Sequence, residues 1–251
     1  VQATCVASHD RLAVDLNGLD PTDGHSYRQV AARGWTPAHG TQLCPPCLAE
    51  TGVWQTRWRL PHVTACLTHK TFLAATCPGC GRPFRDQRQS HLRPVGHVSV
   101  CGNPLGAGPT RHCQHDLLSI HVTKAPKDVL TSQARIEHAL SRETVPVLGA
   151  DSDPAQYLSD LRHLTTLLLH LAGQPGAEHL AGWVAALADE TASRTRARGP
   201  RWGLRPPDNP AVRGRVLATA DAILAMPDLD NAAAALVPWL ALTPSTPDGA
   251  L

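Results

Sequence analysis

The 251-residue chain is 42% hydrophobic but only 4% aromatic, with 22 Pro and 19 Gly, so it is a folded composition whose interior must be built from Leu, Val and Ala. A formal net charge of +2 is too small to name a polyanionic partner, and any case for nucleic acid rests on local patches. No apolar run reaches the ~18 residues of a membrane span and no basic, apolar leader is found. A cytoplasmic location with no membrane association is therefore expected. The chain opens at Val1 without an initiator methionine, which raises the expectation that the natural N-terminus lies upstream.

Residues 1–43 carry one weak apolar stretch, "RLAVDLNGL", then "DPTDGHS" turn chemistry and a short helical candidate, "YRQVAARGW", that ends at Gly34. They read as the tail of a small domain. Residues 44–118 hold seven of the eight cysteines among many Pro and Gly, with no long periodic element. Something other than a large apolar core must hold this segment together.

From residue 119 cysteine disappears and helical punctuation takes over. A candidate over 127–141 places Val129, Ile136 and Leu140 near one face. Asp153 and Pro154 start a second, in which Leu158, Leu161, Leu164, Leu168 and Leu171 form a stripe before the Gly173 stop. Leu180, Trp183, Val184 and Leu187 mark a third. Asn209 and Pro210 begin a fourth that stops before Pro227, and "DLDNAAAALVPWL" offers a short fifth. The fold class expected is mainly α, with two small zinc-binding modules, a helical C-terminal region over 119–251, and little β.

The thiols pair by spacing. Cys44-Pro-Pro-Cys47 is followed by Cys66-Leu-Thr-His69, and Cys77-Pro-Gly-Cys80 by Cys101 and Cys113. A Cys-x-x-Cys turn sets two sulfurs the right distance apart to share a tetrahedral ion, and its tight turn aims backbone N–H groups at them. Cys44, Cys47, Cys66 and His69 are therefore assigned to one zinc ion, and Cys77, Cys80, Cys101 and Cys113 to a second. His91, His97, His112 and His115 lie close enough in sequence to compete for the last positions of the second set, and Cys5 has no partner. Disulfides would need an oxidising compartment, and no strand-helix-strand pattern supports a redox dithiol. Four protein ligands leave a tetrahedral ion no open position, which disfavours a hydrolytic zinc; Glu50 is the one carboxylate near the first set. Structural sites of this kind bind with about 10–16 kcal/mol, more than a small apolar cluster supplies. Trp54, Trp58, Leu60, Phe72 and Leu73 would form the packed patch beside the metals.

Between Trp54 and Arg93 seven basic residues, among them Arg57, Arg59, Arg82, Arg85 and Arg88, stand against the single acidic Asp86. They would either grip phosphate or offset the negative charge of thiolate-bound metal. A second basic cluster, "RTRARGPRWGLR", contains Arg196, Arg198 and Arg201 and is either a solvated linker or a contact with nucleic acid or an acidic partner.

"LCPPCLAETGVWQTRWRLPHVTACLTHKTFLAATCPGCGRPFR", followed by "CGNPLGAGPTRHCQHDL", resembles the TniQ family of transposition proteins over residues 35–118. The shared features are Trp35, the CPxCL start, a Trp-x-Leu before the Cys-x-x-His, the CPxCG turn and the Cys-then-Asp-Leu ending. The resemblance implies two zinc modules beside an N-terminal helix-turn-helix-like region, of which 1–43 would be the remainder. It implies a non-catalytic adaptor joining a target-recognition element, either DNA or an RNA-guided complex, to an AAA+ ATPase regulator that recruits the transposase. A homodimer is left open. The end of the second module departs from the family's Cys-x-x-Cys, being Cys101 plus a distant Cys113. The alternative is a stand-alone sequence-specific DNA-binding regulator with structural zinc, which needs no transposition partner.

Overall fold

Helix start signals written as Asp-Pro and Asn-Pro set the frame of the C-terminal half. The structure, a computed structural model, describes residues 6–20, 22–37, 40–85, 96–106, 111–193 and 200–243. Its α-helices are α1 (Gly24–Ala31), α2 (Pro45–Thr51), α3 (Lys127–Leu140), α4 (Pro154–Leu171), α5 (Trp183–Ser193), α6 (Pro210–Leu224) and α7 (Leu229–Leu240). The β structure is two antiparallel two-stranded hairpins: β1 (Ala65–Cys66) with β2 (Thr71–Phe72), and β3 (Val145–Val147) with β4 (Ala150–Ser152). The fold is thus mostly helical, and no described helix is long and apolar enough to cross a membrane.

The Asp153 side chain accepts from the amides of Ala155 and Gln156, and Asn209 accepts from Ala211. Each cap satisfies helix-end donors while the following proline supplies a preset φ, so α4 and α6 begin where the sequence says. The α4 stripe of Leu158, Leu161, Leu168 and Leu171 is fully buried, each side chain contributing about 1.5–3 kcal/mol. In α6 most residues are buried, because this helix packs against α3, α4, α5, α7 and the β1–β2 hairpin. An α-helix surrounded this way is apolar on nearly every side. Trp183 of α5 stacks on Trp239 of α7 with ring centroids 5.5 Å apart.

One polar knot crosses this helical core. The Tyr157 hydroxyl donates to Asp221 Oδ1 at 2.8 Å and Arg135 Nε donates to the same oxygen at 2.9 Å, joining α4, α3 and α6. Burial pushes the Asp221 carboxyl up and the neighbouring Arg135 guanidinium opposes that push, while burial beside Asp221 drives the Tyr157 hydroxyl far above its usual value.

The cysteine-rich segment has its own apolar cluster of Leu43, Leu48, Trp58, Leu60, Val63, Leu73, Phe84 and Leu117 around the thiols. Trp54 packs edge-on to Trp58 and Phe84. Phe72, expected in this patch, lies instead with Ala65, Val129 and Ala218, where β2 meets the helices. The described part of 1–43 contributes a single α-helix, α1, and serves both cores: Val14 packs with the thiol cluster, and Leu12 and Trp35 with the C-terminal helices.

Two buried side chains fasten the segments to each other. Arg213 of α6 donates to Gln42 Oε1 at 2.5 Å and to the Pro61 carbonyl at 2.8 Å, and Gln133 Oε1 of α3 accepts from Thr64 N at 2.8 Å and Ala65 N at 3.2 Å. At the same seam Gly214 leaves α6 room to approach: a Cβ there would lie 2.7 Å from Thr64 Oγ1 and 3.1 Å from Phe72.

Candidate metal centres

The first centre is built on a helix start and a hairpin. Cys44 is the N-cap of α2, with Pro45 and Pro46 after it, and Cys47 follows within the first turn. Cys66 ends β1 and His69 sits in the turn to β2, where Lys70 takes a left-handed φ of 54°. Cys47 Sγ is 3.5 Å from Cys66 Sγ, and His69 Nδ1 lies 3.5, 3.3 and 3.5 Å from the sulfurs of Cys44, Cys47 and Cys66. Zn–S and Zn–N bonds of ordinary length in a tetrahedron give edges of about 3.8 Å between sulfurs and about 3.5 Å from sulfur to nitrogen. The residues therefore fit a metal ion, and the four donor atoms all lie within 4.8 Å of one another.

With Nδ1 turned to the sulfurs, the other ring nitrogen must carry the proton, and His69 Nε2 donates to Glu50 Oε1 at 2.9 Å. Glu50 lies one turn after Cys47 on α2, so one short helix supplies two ligands and the carboxylate that fixes the ring. The Glu50 hydrogen bond, with help from Cys66, raises the His69 pKa. The thiols divide sharply. Hydrogen bonding to Cys66 followed by burial drives the Cys44 thiol well above its usual range, and burial pushes Cys47 up to about 11. Cys66, which accepts from Cys44 and from the His69 amide, is held down at about 4. Packed thiols hold one anion among them; gathering further thiolates in the same space calls for a cation.

The second centre uses a turn and a ladder. Cys77 and Cys80 flank Pro78-Gly79, and Cys101 and Cys113 lie on two extended segments that pair across the chain. Cys101 N donates to His115 O at 3.0 Å, Gly102 N to Cys113 O at 2.9 Å, and Cys113 N to Asn103 O at 2.8 Å. That pairing explains the missing second Cys-x-x-Cys: a hairpin-like ladder brings Cys113 beside Cys101. The contacts Cys77 Sγ to Cys113 Sγ and Cys80 Sγ to Cys101 Sγ are both 3.9 Å, and these four donors also lie within 4.8 Å of one another.

Backbone amides serve as the outer shell. Burial pushes the Cys101 and Cys113 thiols up, opposed by the amides of Asn103 and His115 that hydrogen-bond their sulfurs, while at Cys80 the Arg82 amide and its neighbours outweigh burial and hold the thiol down. Buried Asn103 adds a side-chain donor, with Nδ2 at 3.6 Å from Cys80 Sγ and 2.9 Å from the Pro83 carbonyl. Gly79 is required by closeness, since a Cβ there would stand 2.8 Å from the Cβ of His115.

All eight sequence-assigned ligands are therefore brought together in the two expected sets. His97, His112 and His115 are in neither; His97 bonds Ser99, and the His115 ring packs on Gly79. Cys5 and His91 lie outside the described residues. The basic residues behave differently. Arg57 pairs with Glu137 of α3 at 2.8 Å, Arg82 donates to the Pro104 carbonyl at 2.8 Å, and the Arg85 guanidinium stacks 4.0 Å over the Trp54 ring. Arg59 lines a cleft of about 520 Å³ between residues 36–37 and 40–42 on one side and the loop at 204–208 on the other. Arg201 is exposed; Arg88, Arg196 and Arg198 lie outside the described residues. In sequence Glu50 reads only as the carboxylate nearest the first set and Asn103 carries no signal; a polar residue one helical turn from a ligand is the pointer to Glu50.

Comparison with known proteins gives a match of residues 8–73 to the TniQ family model. The matched stretch includes the whole first ligand set and ends before Cys77, so the second centre lies beyond it. No curated protein and no solved structure gives a significant match.

Proposed function

We propose, from the TniQ match over residues 8–73, that this chain is a non-catalytic, zinc-stabilised adaptor in DNA transposition. In this reading it joins target recognition, by DNA or an RNA-guided complex, to an AAA+ ATPase regulator and through it to the transposase. The observation that carries the reading is the coincidence of the family match with a closed Cys3His donor set inside it.

Zinc is the ion this chemistry favours. Sulfur-rich tetrahedral donor sets select Zn(II) over harder divalent ions, and a tetrahedral ion with four protein ligands has no position left for water or substrate. Bound there, the ions supply rigidity. Cys44, Cys47, Cys66 and His69 would hold one, with Glu50 orienting the imidazole; Cys77, Cys80, Cys101 and Cys113 would hold the other, with Asn103 and the knuckle amides offsetting thiolate charge. Free thiols in this number belong in a reducing compartment, consistent with the cytoplasm.

The test is co-purification of the tagged chain with an AAA+ ATPase transposition regulator, with and without target DNA. Retention of the regulator supports the adaptor. Tight, salt-sensitive binding to one DNA site with no regulator retained would replace it with the stand-alone DNA-binding reading.

A further inference from the structure

A second cavity, of about 170 Å³, opens between residues 11–15, the stretch Arg33–Thr36 and the face of α4 that carries Arg162. Arg11, Arg33, Arg162 and His62 line it, with Asp15 as the carboxylate in the wall. Asp15 is engaged by Arg33 at 3.6 Å. The Arg162 guanidinium has one hydrogen-bond partner among the described residues, the neighbouring His163 Nε2 at 2.8 Å, and burial alone bears on its pKa. It lies against the backbone of Gly34, where a Cβ would stand 3.2 Å from Nη1.

His62 lies in the same wall. The residue is 1% exposed, and neither Nδ1 nor Nε2 has a hydrogen-bond partner among the described residues. Its ring stands 5.3 Å from the Trp35 ring, which holds the imidazole in place without satisfying either nitrogen. A guanidinium presents a planar fork of donors. A guanidinium fork with donors to spare, in a wall whose cations outnumber its single carboxylate, describes a receptor that lacks its acceptor.

We infer that this cavity receives a phosphate group, bound by the Arg162 fork, with Arg11 and Arg33 at its rim and the His62 ring in the wall behind them. The volume falls below the roughly 300–1,000 Å³ of pockets that enclose whole drug-sized ligands, so the site takes one phosphoryl unit and leaves any attached group outside. That unit is either a free oxyanion or one phosphodiester of a nucleic-acid backbone. The inference stands apart from the adaptor reading, because it uses neither metal centre.

The experiment follows the His62 ring resonances of the ¹⁵N-labelled, metal-loaded full chain by NMR while inorganic phosphate replaces chloride at constant ionic strength. A saturable shift is expected, weakened tenfold or more in Arg162→Gln and unchanged in Arg201→Gln, which lies outside the cavity. Thermal melting and metal content verify that each variant is folded. Should Arg162→Gln fail to fold, Arg33→Gln on the exposed rim takes its place, with a threefold weakening expected. No shift beyond the chloride control, or equal affinity in the wild type and the cavity variant, overturns the inference. In a second arm a short DNA duplex is added to the phosphate-saturated protein: displacement of phosphate from the cavity assigns a backbone phosphodiester, and its persistence assigns a free oxyanion.

Discussion

Glu50 Oε1 accepts from His69 Nε2 at 2.9 Å, and this contact commits the other imidazole nitrogen to the three sulfurs of the first centre. The same short helix begins with Cys44 and carries Cys47, so ligand position and ligand orientation are set by one element. Replacing Glu50 by Ala should leave the donor set intact but free the ring, costing about 10- to 100-fold in metal affinity. Competition with a chromophoric chelator measures it; an affinity equal to wild type would remove Glu50 from the site.

At the second centre the tightest approach is Gly79 to His115. A methyl group at Gly79 must displace the His115 side chain or open the Cys77–Cys80 turn, either way costing about 1–3 kcal/mol as an overpacking change. Gly79→Ala should lower the unfolding free energy from urea denaturation by that amount and weaken metal retention at the second centre alone, read from per-site metal loss.

The buried knot of Tyr157, Arg135 and Asp221 gives a prediction for the helical core that is independent of metal. Asp221→Ala leaves a half-buried guanidinium and a buried hydroxyl without their shared acceptor, and should destabilise by about 2–3 kcal/mol. Chemical denaturation of the metal-loaded protein measures the loss, and Tyr157→Phe should cost less because the charged pair survives.

His62 sets a pH dependence. Burial, reinforced by the Arg162 and Arg213 charges, lowers its pKa from 6.5 to about 3, so the folded protein holds it neutral while the unfolded chain protonates it. The stability this contributes is complete above pH 6.5 and is lost as pH falls from there toward 3, at up to about 1.4 kcal/mol per pH unit. Wild type should therefore lose about 1.4 kcal/mol more than His62→Leu between about pH 7.5 and 5.5 in phosphate-free buffer. Parallel pH profiles for the two proteins would mean that His62 is protonated in the fold.

Much of this architecture was written locally. Asp153-Pro154 and Asn209-Pro210 announce their helices because cap and φ preset act within a few residues, and the thiol pairs announce their donor sets because a turn fixes sulfur spacing. What escaped the sequence acts over distance. Gln42 and Arg213 are 171 residues apart in the chain yet hold the thiol-rich segment on α6, and no periodicity marks either. Phe72 reads as one more apolar residue beside the metals, but strand alternation turns it toward Ala218 on α6. Asn103 carries no motif, since its role comes from the ladder that closes the second centre. The seven basic residues between Trp54 and Arg93 count as a patch in sequence, whereas Arg57, Arg82 and Arg85 each have an internal partner.

The account rests on two ions taking the place of a large apolar interior around residues 44–118. Native mass spectrometry of the freshly purified chain and of Cys66→Ser and Cys113→Ser measures this directly. Two zinc ions per chain are predicted for the wild type and one for each variant, the loss confined to the altered centre. A wild-type chain that is fully folded with one ion or none would contradict it.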